Sequence, residues 1–372
     1  MILVMSFSPP ESHLIIFYNI LNTIPFNNIY NAESLSIVFL FIVIFFSCKQ
    51  NVSEKIDDNR ENKLKNYIKK NIIAIDGKTI IGKTQDDVDF GTKEEFWYGT
   101  FITGRTVSLS PYYIGKYEVT WGLWNTVRNG ALSLGYKIGD GQSGSTYAED
   151  LVDQPVTSVT WYDAVVWCNA LTELVYGSTS ECVYRIGGEI AKDSSVQFLC
   201  EKIIFDKSKK GFRLPTEAEW ELACRLEKEK TDYTTNYGTE EKPIYLLNGS
   251  HLSGAKASFS NVDECNRVAW NKNNSDEGLQ WVTRPVGKLD ANGIGAFDMS
   301  GNVCEWCYDY HGKIEKGTTE NPIGATNGKL KITKGGYMKA APLYCISSYR
   351  CFLFQKPTFK NDDLGFRISC YK

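Results

Sequence analysis

The sequence predicts an α+β domain with short strands, two main helices and long ordered loops. Three observations carry that reading. Two stretches repeat their apolar residues at helical spacing, several brief runs have strand character, and the segments between them are rich in Gly, Asn and Asp. With 372 residues, the chain can bury a large core.

Taken in chain order, the first 47 residues hold no Lys or Arg and only two acids, Glu11 and Glu33. Ile37–Phe46 (IVFLFIVIFF) is uninterrupted apolar sequence, too short for a membrane span of ~20 residues but suited to the core of a secretory signal. Ser47-Cys48 follows, then the polar Lys49, Gln50 and Asn51. The arrangement resembles a bacterial lipoprotein signal, with Cys48 as the lipidated residue. Two features depart from that pattern: Phe45 stands where Leu is usual, and a basic leading region is missing. Both fit a start codon assigned too far upstream. The alternative is an uncleaved hydrophobic anchor. The expected organisation is a leader over 1–47, a polar tether over 48–95 and a domain over 96–372. It places the protein in the cell envelope, lipid-anchored and extracytoplasmic. Part of Ile72–Ile81 is read as a leading strand.

Within the domain, Phe101–Leu109, Tyr112–Glu118, Lys331–Lys334 and Gly365–Ser369 have strand character. Trp161–Leu174 (WYDAVVWCNALTEL) puts Ala164, Trp167, Cys168 and Leu171 on one helical face. Pro215 precedes Thr216-Glu217-Ala218-Glu219, a capping box in which hydroxyl and carboxylate each satisfy an amide of the first turn. Trp220, Ala223 and Cys224 then form the buried stripe of a second helix.

Composition narrows function. The formal net charge is −3 and no basic block stands out, which argues against nucleic acid as a partner. Aromatics make up 13% of the chain, enough for a rigid core and an aromatic contact surface. Of 11 cysteines, ten remain without Cys48. That even count permits disulfides outside the cytoplasm, and buried thiols are the alternative. Cys304-Glu305-Trp306-Cys307 is a CxxC. No second pair stands near it to complete a tetrahedral zinc site, so core packing or a structural disulfide is favoured. The three histidines, His13, His251 and His311, support neither a Ser/His/Asp triad nor a two-histidine iron site.

Five segments together identify a family. They are Tyr112–Thr120 (YYIGKYEVT), Gln154–Asn169 (QPVTSVTWYDAVVWCN), Gly211–Arg225 (GFRLPTEAEWELACR), Gly293–Trp306 (GIGAFDMSGNVCEW), and Gly335-Gly336 followed by Leu364-Gly365-Phe366-Arg367. In this order they resemble the formylglycine-generating enzyme, or sulfatase-modifying factor, family, whose fold is a variant of the C-type lectin fold. The likeness runs from about Phe96 to Cys370, with an insertion around Gly177–Lys210, and Cys304 stands where the family usually has Trp. It implies structural calcium at Asp298, the carbonyls of Gly301 and Val303, and Glu305. A second site is implied at Asn261, the carbonyl of Val262 and Glu277, with Asp276 competing for the last role. Carboxylates among exposed carbonyls suit such a hard cation; the alternative is a loop locked by hydrogen bonds alone. Arg213, Glu219 and Arg367 are read as structural.

The segment Lys334–Cys351 (KGGYMKAAPLYCISSYRC) bears on activity. Oxidase members of the family bind copper(I) through two thiols after the Gly-Gly pair and convert a sulfatase cysteine to formylglycine. Here the first of those positions is Ala340 and the second is Cys345. One thiolate cannot supply a two-sulfur copper site. Cys351 could partner Cys345 only through a folded-back loop, since six residues of strand span roughly 20 Å at ~3.3 Å each. Ala340–Phe354 is instead rich in Tyr and Ser, a composition of adaptable binding surfaces. In lectin-fold relatives diversified by retroelements, this segment is the variable ligand-binding region. The bland alternative makes Tyr344, Ile346, Tyr349, Phe352 and Phe354 partly core. The expected function is therefore binding of a protein or glycan ligand through Tyr337, Tyr344, Ser347, Ser348, Tyr349 and Arg350, without oxidase activity. The alternatives are a copper-dependent oxidase using Cys345 and Cys351, and a structural envelope protein.

Overall fold

The computed structural model describes residues 62–84, 95–145, 151–276, 281–351 and 356–372. The leader, Cys48 and half of the expected tether lie outside the described residues. Chain contacts separate Met1–Leu64 from Lys65–Lys372, and the architecture below belongs to the second unit. Among the described residues, no helix is long and apolar enough to cross a membrane.

Three small sheets frame the unit. Strand β1 (Ile72–Ile75) pairs antiparallel with β4 (Tyr112–Gly115), Ile72 opposite Gly115. The C-terminal strand β9 (Ser369–Tyr371) takes the other edge of β4. Strand β2 (Lys78–Ile81) pairs antiparallel with β3 (Arg105–Leu109), whose far side carries β6 (Gly317–Glu320) in parallel. The third sheet has β5 (Cys304–Tyr310) between antiparallel β7 (Lys331–Lys334) and parallel β8 (Leu364–Gly365). Two strands thus come from Ile72–Ile81, inside the stretch assigned to the tether. Ile75 and Ile80 point into the core, and the gain from burying them ties that stretch to the domain.

Among the described residues, the helices α1 (Trp121–Ala131), α2 (Trp161–Tyr176), α3 (Glu217–Arg225) and α4 (Val262–Val268) pack on this frame. The stacked rings of Trp124 and Trp167, 5.7 Å apart, join α1 to α2. The capping box forms as expected on α3: Thr216 Oγ1 accepts from the Glu219 amide at 3.2 Å, and Glu219 accepts from the Thr216 amide at 2.9 Å. A second capping box, Thr160 with Asp163, starts α2. The insertion folds as a small sheet of Tyr184–Ile186, Glu189–Ile190 and Ile204–Phe205 with one short helix, Gln197–Cys200.

Helix α3 departs from an ordinary amphipathic helix, because every residue from Glu217 to Arg225 is buried. Its three carboxylates need cations, and each has at least one. Glu219 meets Arg213 at 2.6 Å, Glu217 meets Arg350 at 2.6 Å, and Glu221 lies between Arg225 at 3.0 Å and Lys334 at 3.4 Å. On neighbouring β5, Glu305 is gripped by Arg367 at 2.6 Å. Desolvating so many charges is costly, so pairing at this quality is obligatory. Arg213, Glu219 and Arg367 are structural, as read from the sequence.

The ten cysteines from Cys168 to Cys370 are all thiols. For the CxxC the reason is geometric. A three-residue step along a strand sends side chains to opposite faces. Cys307 joins the main apolar core, while Cys304 faces a groove on the other side.

Candidate ligand groove

The groove opens beside the third sheet and has a volume of about 490 Å³. Tyr337, Tyr344 and Tyr349 give it an aromatic wall, and Lys272, Lys339 and Asp363 add charge. The tyrosines are braced from behind. Trp97 lies 4.9 Å from the Tyr349 ring and 5.9 Å from the Tyr344 ring, and Phe96 meets Tyr349 edge-on at 6.2 Å. Such braced rings present area at little entropic cost. Tyr344 is 44% exposed.

The six residues expected to contact a ligand divide in two. Tyr337, Tyr344 and Tyr349 line the groove. Ser347, Ser348 and Arg350 do not, and that expectation is corrected. Ser348 Oγ shares its one proton between the carbonyls of Trp97 at 2.6 Å and Gly249 at 2.9 Å, and Ser347 Oγ also points to Gly249. Arg350 forks onto Glu217 through Nε and Nη2 and donates to the Gly312 carbonyl. All three side chains are buried, and their polar atoms are spent holding the segment down.

The two thiols of the oxidase alternative part company. Cys345 is fully buried and packs with Cys265 and Ala340 in a second apolar cluster. Its sulfur sits against the backbone amides of Tyr337 and Gly301, and burial pushes its thiol up to about 12. Gly336 explains the tight fit: at φ +71°, a Cβ there would lie 2.6 Å from Cys345 Sγ. Cys351 faces the groove, which Cys304 also lines. With Ala340 at the first expected thiol position and Cys345 sealed in, these residues do not fit the family's copper site.

The calcium donors are likewise committed. Both Glu305 oxygens bind Arg367, and one also accepts from Trp220 Nε1 at 2.7 Å. A guanidinium thus stands beside the carboxylate where the cation was expected. Asp298 accepts from the Gly287 amide through Oδ2 at 2.7 Å, while its buried Oδ1 has no hydrogen-bond partner among the described residues. Burial pushes its carboxyl up to about 6. The Gly301–Val303 turn is tied instead by Glu118, which accepts from Asn302 Nδ2 at 2.7 Å and the Val303 amide at 3.1 Å. At the second site, Asn261 Oδ1 caps α4 through the Glu264 amide at 3.1 Å, and Val262 is exposed. Glu277 lies outside the described residues. Among the described residues, no three His, Cys, Asp or Glu side chains converge as a metal-binding group.

Sequence reasoning missed the contributors far from the Gly-Gly segment. Lys272, Asn361 and Asp363 come from loops without a motif, and Cys304 is hidden inside a motif read as core.

Comparison with known proteins agrees with this architecture. Residues 61–370 match the model of the sulfatase-modifying factor enzyme 1-like domain. The chain belongs to this family. It is 32% identical over 244 residues to a protein of Paenibacillus barcinonensis named chaperone protein LppX, covering 62% of this chain and 71% of that one. It is 33% identical over 164 residues to the formylglycine-generating enzyme of Mus musculus, covering 43% of this chain but only 39% of the enzyme. Among solved structures, Treponema denticola variable protein 1 aligns with TM-score 0.57 and 27% identity, covering 81% of this chain and 95% of that one. CarF aligns with TM-score 0.54 and 25% identity, covering 81% and 98%. These alignments support the expected fold, the formylglycine-generating-enzyme variant of the C-type lectin fold.

Proposed function

We propose that this protein is an extracytoplasmic binding protein, carried on a lipid at Cys48, whose tyrosine-walled groove holds a polypeptide ligand and which lacks formylglycine-generating oxidase activity. The carrying observation is the fate of the two thiol positions: Ala340 supplies a methyl group, and Cys345 is sealed beneath Gly336 and Tyr337. A thiol with its pKa raised by burial and no access to substrate is a poor nucleophile and a poor metal ligand. The groove fits binding. It joins aromatic area to a few charged groups, the usual make-up of a recognition site. A polypeptide is favoured over a glycan because the relative aligned over 71% of its length is named a chaperone.

The test incubates purified protein with a peptide carrying cysteine in a Cys-x-Pro-x-Arg setting, with copper and oxygen, and traps aldehyde with a hydrazide probe. No aldehyde is expected. Catalytic aldehyde formation that disappears in Cys345→Ser would overturn the reading. Lipid attachment is checked by metabolic labelling with an alkynyl fatty acid, which Cys48→Ala should abolish.

A further inference from the structure

A second cavity, of about 590 Å³, shares no lining residue with the groove. It is lined by Tyr162 from α2, Tyr308 and Tyr310 from β5, Gln197 and Glu201 from the insertion, and Asn327 from the loop before β7. Strand β5 serves both cavities from one face, because side chains two residues apart point the same way. Cys304 lines the groove, buried Trp306 follows, and Tyr308 and Tyr310 reach the second cavity. From Cys304 to Tyr310 the strand runs roughly 20 Å at ~3.3 Å per residue, so the two sites are separate.

The insertion builds this cavity. Its Phe205 and Tyr184 rings pack on Tyr308, with centroids 5.0 and 6.0 Å away, and the same insertion supplies Gln197, Glu201 and Ile203 to the lining.

The chemistry of the lining narrows the ligand. A group of aromatic rings can hold a cation, but here that role is filled from within. Lys331 Nζ lies 3.4 Å from the Tyr310 centroid, 3.8 Å from that of Trp161 and 4.9 Å from that of Tyr308, and it donates to the Tyr308 carbonyl at 2.9 Å. Lys329 and Lys356, both exposed, also line the cavity, against the single carboxylate of Glu201. A cationic ligand is therefore opposed and an anionic one favoured. An extended peptide needs unpaired strand backbone to add to, and that of β5 is engaged here. The Tyr308 amide donates to the Pro215 carbonyl at 3.0 Å, its carbonyl accepts from Lys331, and Tyr310 bridges to Gly324 and Ala325. What remains is ring area and side-chain polar groups. Gln197, Glu201 and Asn327 are exposed, and among the described residues their side chains are not tied to the fold by hydrogen bonds, unlike those of Ser347 and Ser348. Rings that cover the C–H face of a sugar, beside amides and a carboxylate that bond its hydroxyls, suit a carbohydrate. The volume falls within the ~300–1,000 Å³ usual for small-ligand sites.

We propose that this cavity is a second binding site, for a short saccharide bearing a carboxylate, of the uronic-acid class. The sugar ring lies on the tyrosines, its hydroxyls meet Gln197, Glu201 and Asn327, and its carboxylate meets Lys329 and Lys356. The site does not depend on the reading of the groove given above.

Saturation-transfer NMR on the purified protein tests this, with digalacturonate as the probe and chitobiose as a neutral comparison. Digalacturonate should bind more tightly than chitobiose, and added salt should weaken it. Tyr310→Ala should weaken binding about tenfold, the worth of one aromatic contact. Asn327→Ala should weaken it about fivefold, the worth of one hydrogen bond. Asn327 is exposed, so its variant keeps the test decisive if Tyr310→Ala loosens the packing around Lys331. Tyr344→Ala, in the groove, should leave saccharide binding as it is. Absence of digalacturonate binding, tighter binding of chitobiose, or indifference to Asn327→Ala would overturn the proposal. So would loss of saccharide binding in Tyr344→Ala, which would move the sugar to the groove, or capture of an extended peptide that Asn327→Ala weakens.

Discussion

The charged residues around α3 and the tyrosines of the groove meet in one stretch of chain, yet they are used in opposite ways. Arg350 is buried, with its guanidinium forked onto Glu217. Tyr344 is held from behind by Trp97 and opens to solvent. The first set supplies rigidity and cannot reach a ligand. The second supplies contact area and costs the fold little if lost. The contrast teaches that exposure, not composition, decides which members of a Tyr/Ser/Arg-rich segment can bind.

The strongest way to break that contrast is to cut the charged set. Arg350→Ala leaves Glu217 buried without its guanidinium, a change that costs on the order of 3–5 kcal/mol. Urea unfolding should show the loss directly. A variant that keeps native stability would mean that Arg350 is not part of the frame.

A second test uses pH. Burial, with Glu217 nearby, pushes the Asp309 carboxyl up to about 7, although it accepts the Glu217 amide at 2.9 Å. Its folded value lies above its unfolded one, so the fold binds the proton more tightly than the unfolded chain does. Its contribution to stability is therefore fully present below about pH 4 and is lost as pH rises towards 7, at up to about 1.4 kcal/mol per pH unit. Asp298, pushed up to about 6, acts with the same sign. Glu217 is held low by Arg350 despite burial and acts with the opposite sign, so the informative quantity is a difference. Stability of wild type minus that of Asp309→Asn, measured by urea unfolding, should fall between pH 4 and pH 7. A flat difference would remove Asp309 from the buried-charge network.

Between the two sets lies Gly336. Its φ of +71° is unfavourable for any residue with a Cβ, and that Cβ would strike Cys345 Sγ and the Tyr344 carbonyl, each at 2.6 Å. Gly336→Ala should cost roughly 1–3 kcal/mol and disturb the groove wall with it. A thermal melt close to wild type would show that the Gly-Gly turn yields more easily than its packing suggests.

Much of the frame was legible because its residues do local work. The capping box at Thr216 and the periodicity of Trp161–Leu174 are short-range signals, and both helices formed where expected. Helix α1 was legible but not read: Thr120 caps it, and Trp124, Val127 and Ala131 form its buried stripe. The ion pairs were legible only as a class. Arg213 and Arg367 looked structural, but nothing local links Arg350 to Glu217 or Arg367 to Glu305 across the chain. The groove was the least legible, because it is assembled from residues 272, 304, 337–351 and 359–364. Ser347 and Ser348 looked like binding residues by type and proved to be anchors by burial. The CxxC looked like one unit and split across the two faces of a strand.

The smallest stability effect gives the sharpest test of the contrast. Tyr344 keeps much of its surface in water, and its hydroxyl is not needed to satisfy any buried group named above. Tyr344→Ala should therefore change unfolding free energy by no more than about 0.5–1 kcal/mol, allowing for the lost ring contact with Trp97. The same substitution removes part of the groove wall. If the tyrosines carry recognition, its effect on ligand capture should exceed its effect on stability, which is the signature of a contact residue rather than a support. A panel of extended peptides, read through the fluorescence of the braced Trp97, separates the two quantities in one experiment. Should Tyr344→Ala instead unfold as easily as Arg350→Ala, the aromatic wall would be frame as well, and the groove would lose its claim to be the binding surface.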